Sequence, residues 1–103
     1  MGKRKKRPPA EEDAPPVVYE VQVSDRAMRE LKDLPSDEIQ RIVDAIDDLA
    51  QDPRPPGATK LQGVKNGWRV RKGDYRILYT INDTEKLVLV YRVGHRRAIY
   101  KKR

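Results

Sequence analysis

Trp68-Arg69-Val70-Arg71-Lys72-Gly73-Asp74-Tyr75-Arg76-Ile77-Leu78-Tyr79-Thr80-Ile81 alternates in side-chain character on both sides of a Gly-Asp pair. Successive side chains of a strand point to opposite faces. Trp68 and Val70 therefore share one face and Arg69 and Arg71 the other. Tyr75, Ile77, Tyr79 and Ile81 likewise oppose Arg76, Leu78 and Thr80. Gly73-Asp74 suits the two-residue turn that makes such strands antiparallel neighbours. With the apolar faces on one side, Arg69, Arg71 and Arg76 lie together on the other. The stretch predicts a small sheet with one buried face and one cationic face.

Working outward, Asn82-Asp83-Thr84-Glu85 reads as a turn into a further strand. There Leu87, Leu89, Tyr91 and Val93 face one way and Val88 and Val90 the other, which predicts a central strand covered on both sides. Upstream, Lys60-Leu61-Gln62-Gly63 leads through the turn signal Asn66-Gly67. Asp52-Pro53-Arg54-Pro55-Pro56-Gly57 cannot continue a helix and reads as an extended linker. Before it, Ile39, Ile42, Val43, Ile46, Leu49 and Ala50 recur with helical period, with Ser36 as the expected N-cap. A shorter helix begins at the N-cap Ser24, carries Ala27, Met28, Leu31 and Leu34 on its apolar side, and ends at Pro35. Tyr19, Val21 and Val23 alternate with Glu20 and Gln22 as a first, half-buried strand. The order strand, helix, helix, strand, strand, strand gives an α+β domain in which an N-terminal strand and helical hairpin pack on a mainly antiparallel four-stranded sheet.

Charge is unevenly spread. Residues 1–16 carry five Lys/Arg against three Asp/Glu, residues 17–57 five against ten, and residues 58–103 thirteen against three. The basic excess thus belongs to the predicted hairpin region, and points to a polyanionic partner. The absence of cysteine excludes disulfides and thiolate chemistry, and one histidine cannot build a multi-His metal site, so neither a metal nor another cofactor is expected. Residues 1–16, with Lys3-Arg4-Lys5-Lys6-Arg7 followed by prolines, read as a disordered leader, and residues 17–103 as the folded domain. No apolar stretch resembles a signal peptide or a membrane span, so a cytoplasmic protein without membrane contacts is expected.

Several motifs in this order resemble the RelE/ParE superfamily of toxins from bacterial toxin-antitoxin modules, and within it the RelE branch. They are Leu49-Ala50-Gln51-Asp52-Pro53, Lys60-Leu61-Gln62-Gly63, Trp68-Arg69-Val70-Arg71, Asp74-Tyr75-Arg76-Ile77-Leu78-Tyr79 and Val93-Gly94-His95-Arg96-Arg97 ending at Tyr100. The resemblance covers residues 18–100. It implies a RelE-like fold and a ribosome-dependent endoribonuclease that cleaves messenger RNA in the A site, by attack of the ribose 2′-hydroxyl on the adjacent phosphodiester. It also implies a cognate RelB-like antitoxin, the 70S ribosome with its mRNA as target, and operator DNA bound through the toxin-antitoxin complex.

The resemblance places Arg69 and Arg71 at the family's basic positions on the first hairpin strand. It matches Arg76 to the arginine of the second strand, Arg96 to the arginine after the Val-Gly pair, and Tyr100 to the C-terminal tyrosine. Attack at phosphorus builds charge on the non-bridging oxygens, and guanidinium groups are forked, permanently charged donors for them. RelE itself carries lysines where this chain has Arg69 and Arg71. Arginine cannot give up its proton, so these two are read as clamps, with Lys72 and Arg97 as further phosphate contacts. Proton transfer then falls to His95, whose ordinary titration lies near neutral pH, with Tyr100 as a second proton-transfer or base-stacking group. The competing reading of His95 is a backbone-bonded cap at the end of the last strand. Trp68 falls on the apolar side and reads as core, as do Tyr75, Tyr79 and Tyr91. Two other functions fit the same fold: a ParE-like inhibitor of DNA gyrase, and a non-catalytic nucleic-acid-binding co-repressor.

Overall fold

A computed structural model describes residues 18–99. Tyr100 and the leader, residues 1–16, lie outside the described residues. The elements are β1 (Glu20–Val23), α1 (Asp25–Lys32), α2 (Ser36–Asp48), β2 (Thr59–Lys60), β3 (Gly67–Lys72), β4 (Tyr75–Asn82), β5 (Leu87–His95) and α3 (Arg96–Ile99). They form the expected α+β arrangement around a five-stranded sheet of order β1-β5-β4-β3-β2. β1 runs parallel to β5 and every other pairing is antiparallel. The fifth strand, β2, is only two residues long, too short for period-two alternation to show in the sequence. Its pairing with β3 is extended by the Leu61 amide, which donates to the Gly67 carbonyl at 2.9 Å.

The hairpin forms as its sequence dictates. β3 and β4 pair from Gly67↔Thr80 to Lys72↔Tyr75, and Gly73 takes φ +60° between them. That positive φ at the first central position is the glycine-requiring geometry of a II′ turn. Gly67 is needed for a different reason: a Cβ there would stand 2.6 Å from the Val64 side chain. Ile77, Tyr79 and Ile81 of β4 are 0–2% exposed, and they meet Ala27, Leu31, Ile42, Ala45, Ile46 and Leu49 from the helical layer in one core. Ser24 caps α1 as expected, its Oγ accepting from the Ala27 amide at 3.1 Å. Ser36 does not cap α2. The cap position is Pro35, in extended conformation, and its carbonyl accepts from the Glu38 amide at 2.8 Å.

Two further expectations change. The alternation on β5 is interrupted by a bulge: Tyr79 pairs with Val90 but Leu78 with Arg92, so that Tyr91 is the extra residue of the bulge. A bulge shifts the facing of every later residue by one. Val93 therefore joins Val88 and Val90 in the core, all at 0–1% exposure, whereas Leu87, Leu89 and Tyr91 are only half-buried. Tyr91 is accordingly not a core residue, and β5 is fully covered on one face rather than two. Beyond the end of β1, the free edge of β5 is closed by Glu30 of α1. Its carboxylate accepts from the Val93 amide at 2.8 Å and from Arg92 Nε at 3.0 Å.

The segment 52–57 is not extended. Pro53 is buried, the Arg54 amide donates to Asp52 Oδ1 at 3.1 Å, and Ala58 closes a turn onto Pro55 at 2.9 Å. Long-range partners hold it there. The Arg54 guanidinium bridges both carboxylate oxygens of Asp83, at 3.3 and 2.8 Å, and stacks 5.2 Å from the Trp68 ring. Tyr19 donates to the same Asp83 at 2.6 Å. These two hydrogen bonds, Arg54 first, lower the Asp83 carboxyl from 3.8 to about 2. A lowered folded pKa gives stability that is present above the unfolded value and lost as pH falls through the folded one. Wild type should therefore lose stability between about pH 4 and pH 2 more steeply than Asp83→Asn, by a small margin because the group is exposed. Urea unfolding of both proteins across that window checks this; parallel curves would reject it.

Candidate nucleic-acid interface

The face opposite the helices carries the arginines. Arg69, Arg71 and Arg76 share it: Arg71 stands directly across from Arg76, whose other neighbour is Gly94 on β5. Arg69 pairs with Leu78 one step along. The three differ in environment. Arg71 and its neighbour Lys72 are exposed and Arg69 is half-buried, but Arg76 is only 8% exposed. Its Nε and Nη1 are buried without a hydrogen-bond partner. A buried guanidinium with unmet donors is costly, and a like charge directly opposite adds to the cost. Gly94 contributes no side chain on the other flank. The arrangement is suited to an anion, which would meet the forked donors of Arg76 and offset the repulsion from Arg71.

The end of the sheet adds more positive charge. The Arg96 amide donates to the Asp74 carbonyl at 2.8 Å, which ties α3 to the β3-β4 turn, while the Arg96 side chain is 49% exposed with Nε 4.0 Å from Asp74 Oδ1. Arg97 is exposed beside it. Arg41, from the middle of α2, reaches the underside of the turn: a Cβ on Gly73 would stand 2.8 Å from its Nη1. Sequence reasoning missed Arg41, because its position on the polar side of a helix gives no sign of a contact with a turn 32 residues later. The Arg92-Glu30 pair was missed for the same reason.

His95 does not join the arginines. It pairs with Tyr75, and its ring meets that of Tyr75 edge-on, with centroids 5.7 Å apart. Tyr75 packs on the core, so His95 stands on the helix side while Arg76 and Gly94 are on the open side. Its Nδ1 accepts from the Arg97 amide at 3.2 Å. Trp68, expected in the core, is half-buried against it, with Arg54 and Lys60 both over its ring. Among the described residues, no group of three or more His, Cys, Asp and Glu could hold a metal ion, and no helix is long and apolar enough to cross a membrane.

The family is settled by comparison. The model of the ParE toxin of type II toxin-antitoxin systems, parDE, matches residues 21–100. The chain is a toxin of the RelE/ParE family. Toxin RelG of Mycobacterium tuberculosis is 33% identical over 85 residues, a match spanning 82% of this chain and 98% of RelG. Among solved structures, a chain of the M. tuberculosis RelBE2 toxin-antitoxin complex superposes with a TM-score of 0.69 at 31% identity, covering 77% of this toxin and 92% of that chain. The archaeal RelE-RelB complex of Pyrococcus horikoshii gives the same TM-score at 27% identity, covering 77% and 96%. The toxin thus shares the RelE fold, and its structural neighbours include toxins crystallised with RelB antitoxins.

Proposed function

We propose that this toxin is a RelE-like endoribonuclease that cuts messenger RNA in the ribosomal A site. The observation that carries the reading is Arg76, a buried guanidinium with two unmet donors facing Arg71 across the open side of the sheet. In the proposed reaction the 2′-oxygen bonds to phosphorus as the bond from phosphorus to the 5′-oxygen breaks. The 2′-hydroxyl gives up a proton and the 5′-oxygen receives one. Arg76 and Arg71 hold the non-bridging oxygens as their charge grows, Arg69 and Lys72 hold flanking phosphates, and Arg96 and Arg97 approach from α3. Tyr100 keeps the proton-transfer or stacking role implied by the family resemblance. His95 is better suited to holding α3 than to proton transfer, given its side of the sheet and its engaged Nδ1. We further propose that the toxin acts in the cytoplasm and that a RelB-like antitoxin covers the basic face, the pair binding operator DNA.

The test is primer extension on a defined mRNA in purified 70S ribosomes, with wild type beside an Arg76→Ala, Arg96→Ala double variant. A-site cuts by wild type, lost in the variant, are expected. Absence of cuts from folded, antitoxin-free toxin would overturn the reading. The second reading, inhibition of DNA gyrase, is favoured by the parDE family model that matches the chain. It would then be taken up through a gyrase supercoiling assay.

A further inference from the structure

We infer that His95 is a positioning residue: its neutral imidazole is the N-cap of α3, and by fixing that turn it aims Arg96 and Arg97 at the RNA. The inference rests on the nuclease reading for its consequence, and on local geometry for its substance. At the start of α3 the Arg96 amide is taken by the Asp74 carbonyl at 2.8 Å and the Arg97 amide by His95 Nδ1 at 3.2 Å. An acceptor from the residue before a helix to the amide two positions on is the N-cap contact. The turn needs one. It opens with two arginines at the positive end of a helix, where acidic residues are the favourable choice, and it has four residues over which to recover the cost.

Only one protonation state can do this. An imidazole nitrogen accepts through its lone pair, so Nδ1 must be bare and the proton must sit on Nε2. Protonation would turn Nδ1 into a donor facing the Arg97 N–H and place a third positive charge beside Arg96 and Arg97. His95 thus acts on cleavage through the turn it holds, and transfers no proton to or from substrate.

Three proteins separate this from the alternatives: the wild-type chain, His95→Asn and His95→Ala. Asparagine caps helices well and cannot act as a base. Nitrogen-15 NMR of wild type should show the Nε2-protonated tautomer. Exchange of the Arg97 amide should accelerate about fivefold in His95→Ala but not in His95→Asn. An Nδ1-protonated tautomer, or equal Arg97 exchange in all three proteins, would overturn the inference. In the ribosomal assay, His95→Asn should cleave within about threefold of wild type, and His95→Ala should be about fivefold slower. Equal and severe loss in both variants would make His95 a proton-transfer group and refute the cap as its role. If wild type cuts nothing, the nuclease reading fails, and the tautomer and exchange data still decide the cap.

Discussion

Arg76→Met is expected to yield a toxin that is more stable than wild type and at least about 100-fold slower in cleaving ribosome-bound mRNA. Both effects come from one side chain. The stem of Arg76 is buried at the centre of the sheet's open face, yet Nε and Nη1 have no protein partner and Arg71 stands directly opposite. Methionine keeps most of the apolar stem while removing the unmet donors and the like-charge pair. Relief of buried unsatisfied donors is worth about 1–3 kcal/mol. A stabilised, inactive variant is the signature of a group held in readiness for a ligand, since active sites commonly sacrifice stability for function. Arg76→Lys should fall between the two in activity, because an ammonium restores charge but not the bidentate fork. Urea unfolding followed through Trp68, the chain's sole tryptophan, measures the first effect, and primer extension the second. Arg76→Met less stable than wild type would show that the guanidinium serves the fold, and would remove the main support for the anion site.

The alternation that exposes Arg76 was legible in the sequence because β3 and β4 each have one buried face, and period-two patterning survives only under that condition. Ser24 and the α2 stripe were legible for the analogous helical reason. β5 was not. Its near-continuous apolar run from Leu87 to Tyr91 offers no periodicity in which an extra residue would show, so the bulge at Tyr91 is silent in the sequence. Its consequence reaches the site. After the bulge, odd-numbered Val93 and His95 fall on the side that even-numbered Val88 and Val90 occupy before it. His95 therefore stands behind Arg76 instead of beside it, and proximity in sequence to Arg96 says nothing of this. The linker failed for a different reason. Its prolines rightly forbid a helix, but what bends it is Arg54 on Asp83 and Tyr79 on Pro53, contacts spanning 29 and 26 residues that no local rule encodes. Helix-borne Glu30 and Arg41 were invisible alike, since each is an ordinary polar-face residue until β5 or the hairpin turn is brought against it.

Tyr79 gives the largest expected effect on stability. It is the largest fully buried side chain of the described residues, and its hydroxyl donates to the Pro53 carbonyl at 2.7 Å. Tyr79→Ala should cost about 3–5 kcal/mol by opening a cavity between β4 and the helices. Tyr79→Phe keeps the ring and isolates the hydrogen bond. It strands a buried carbonyl on Pro53 and should cost about 1–3 kcal/mol, while exchange of the Arg54 and Ala58 amides rises as that segment loses its tie to the sheet. Titration supplies an independent check. Burial pushes the Tyr79 phenol up from 10.0 to about 12. A raised folded pKa means that its contribution is complete below the unfolded value and is lost as pH rises through the folded one. Wild type should accordingly lose stability between about pH 10 and pH 12 by more than Tyr79→Phe does. Indistinguishable alkaline curves, or a Tyr79→Phe protein as stable as wild type at neutral pH, would show that the hydroxyl does not hold the linker. The matter bears on function because the same strand carries Arg76 three residues away. Tyr79 anchors the linker to the strand whose pairing sets Arg76 against Arg71 and Gly94, so its two variants show how much loosening of that layer the basic face tolerates.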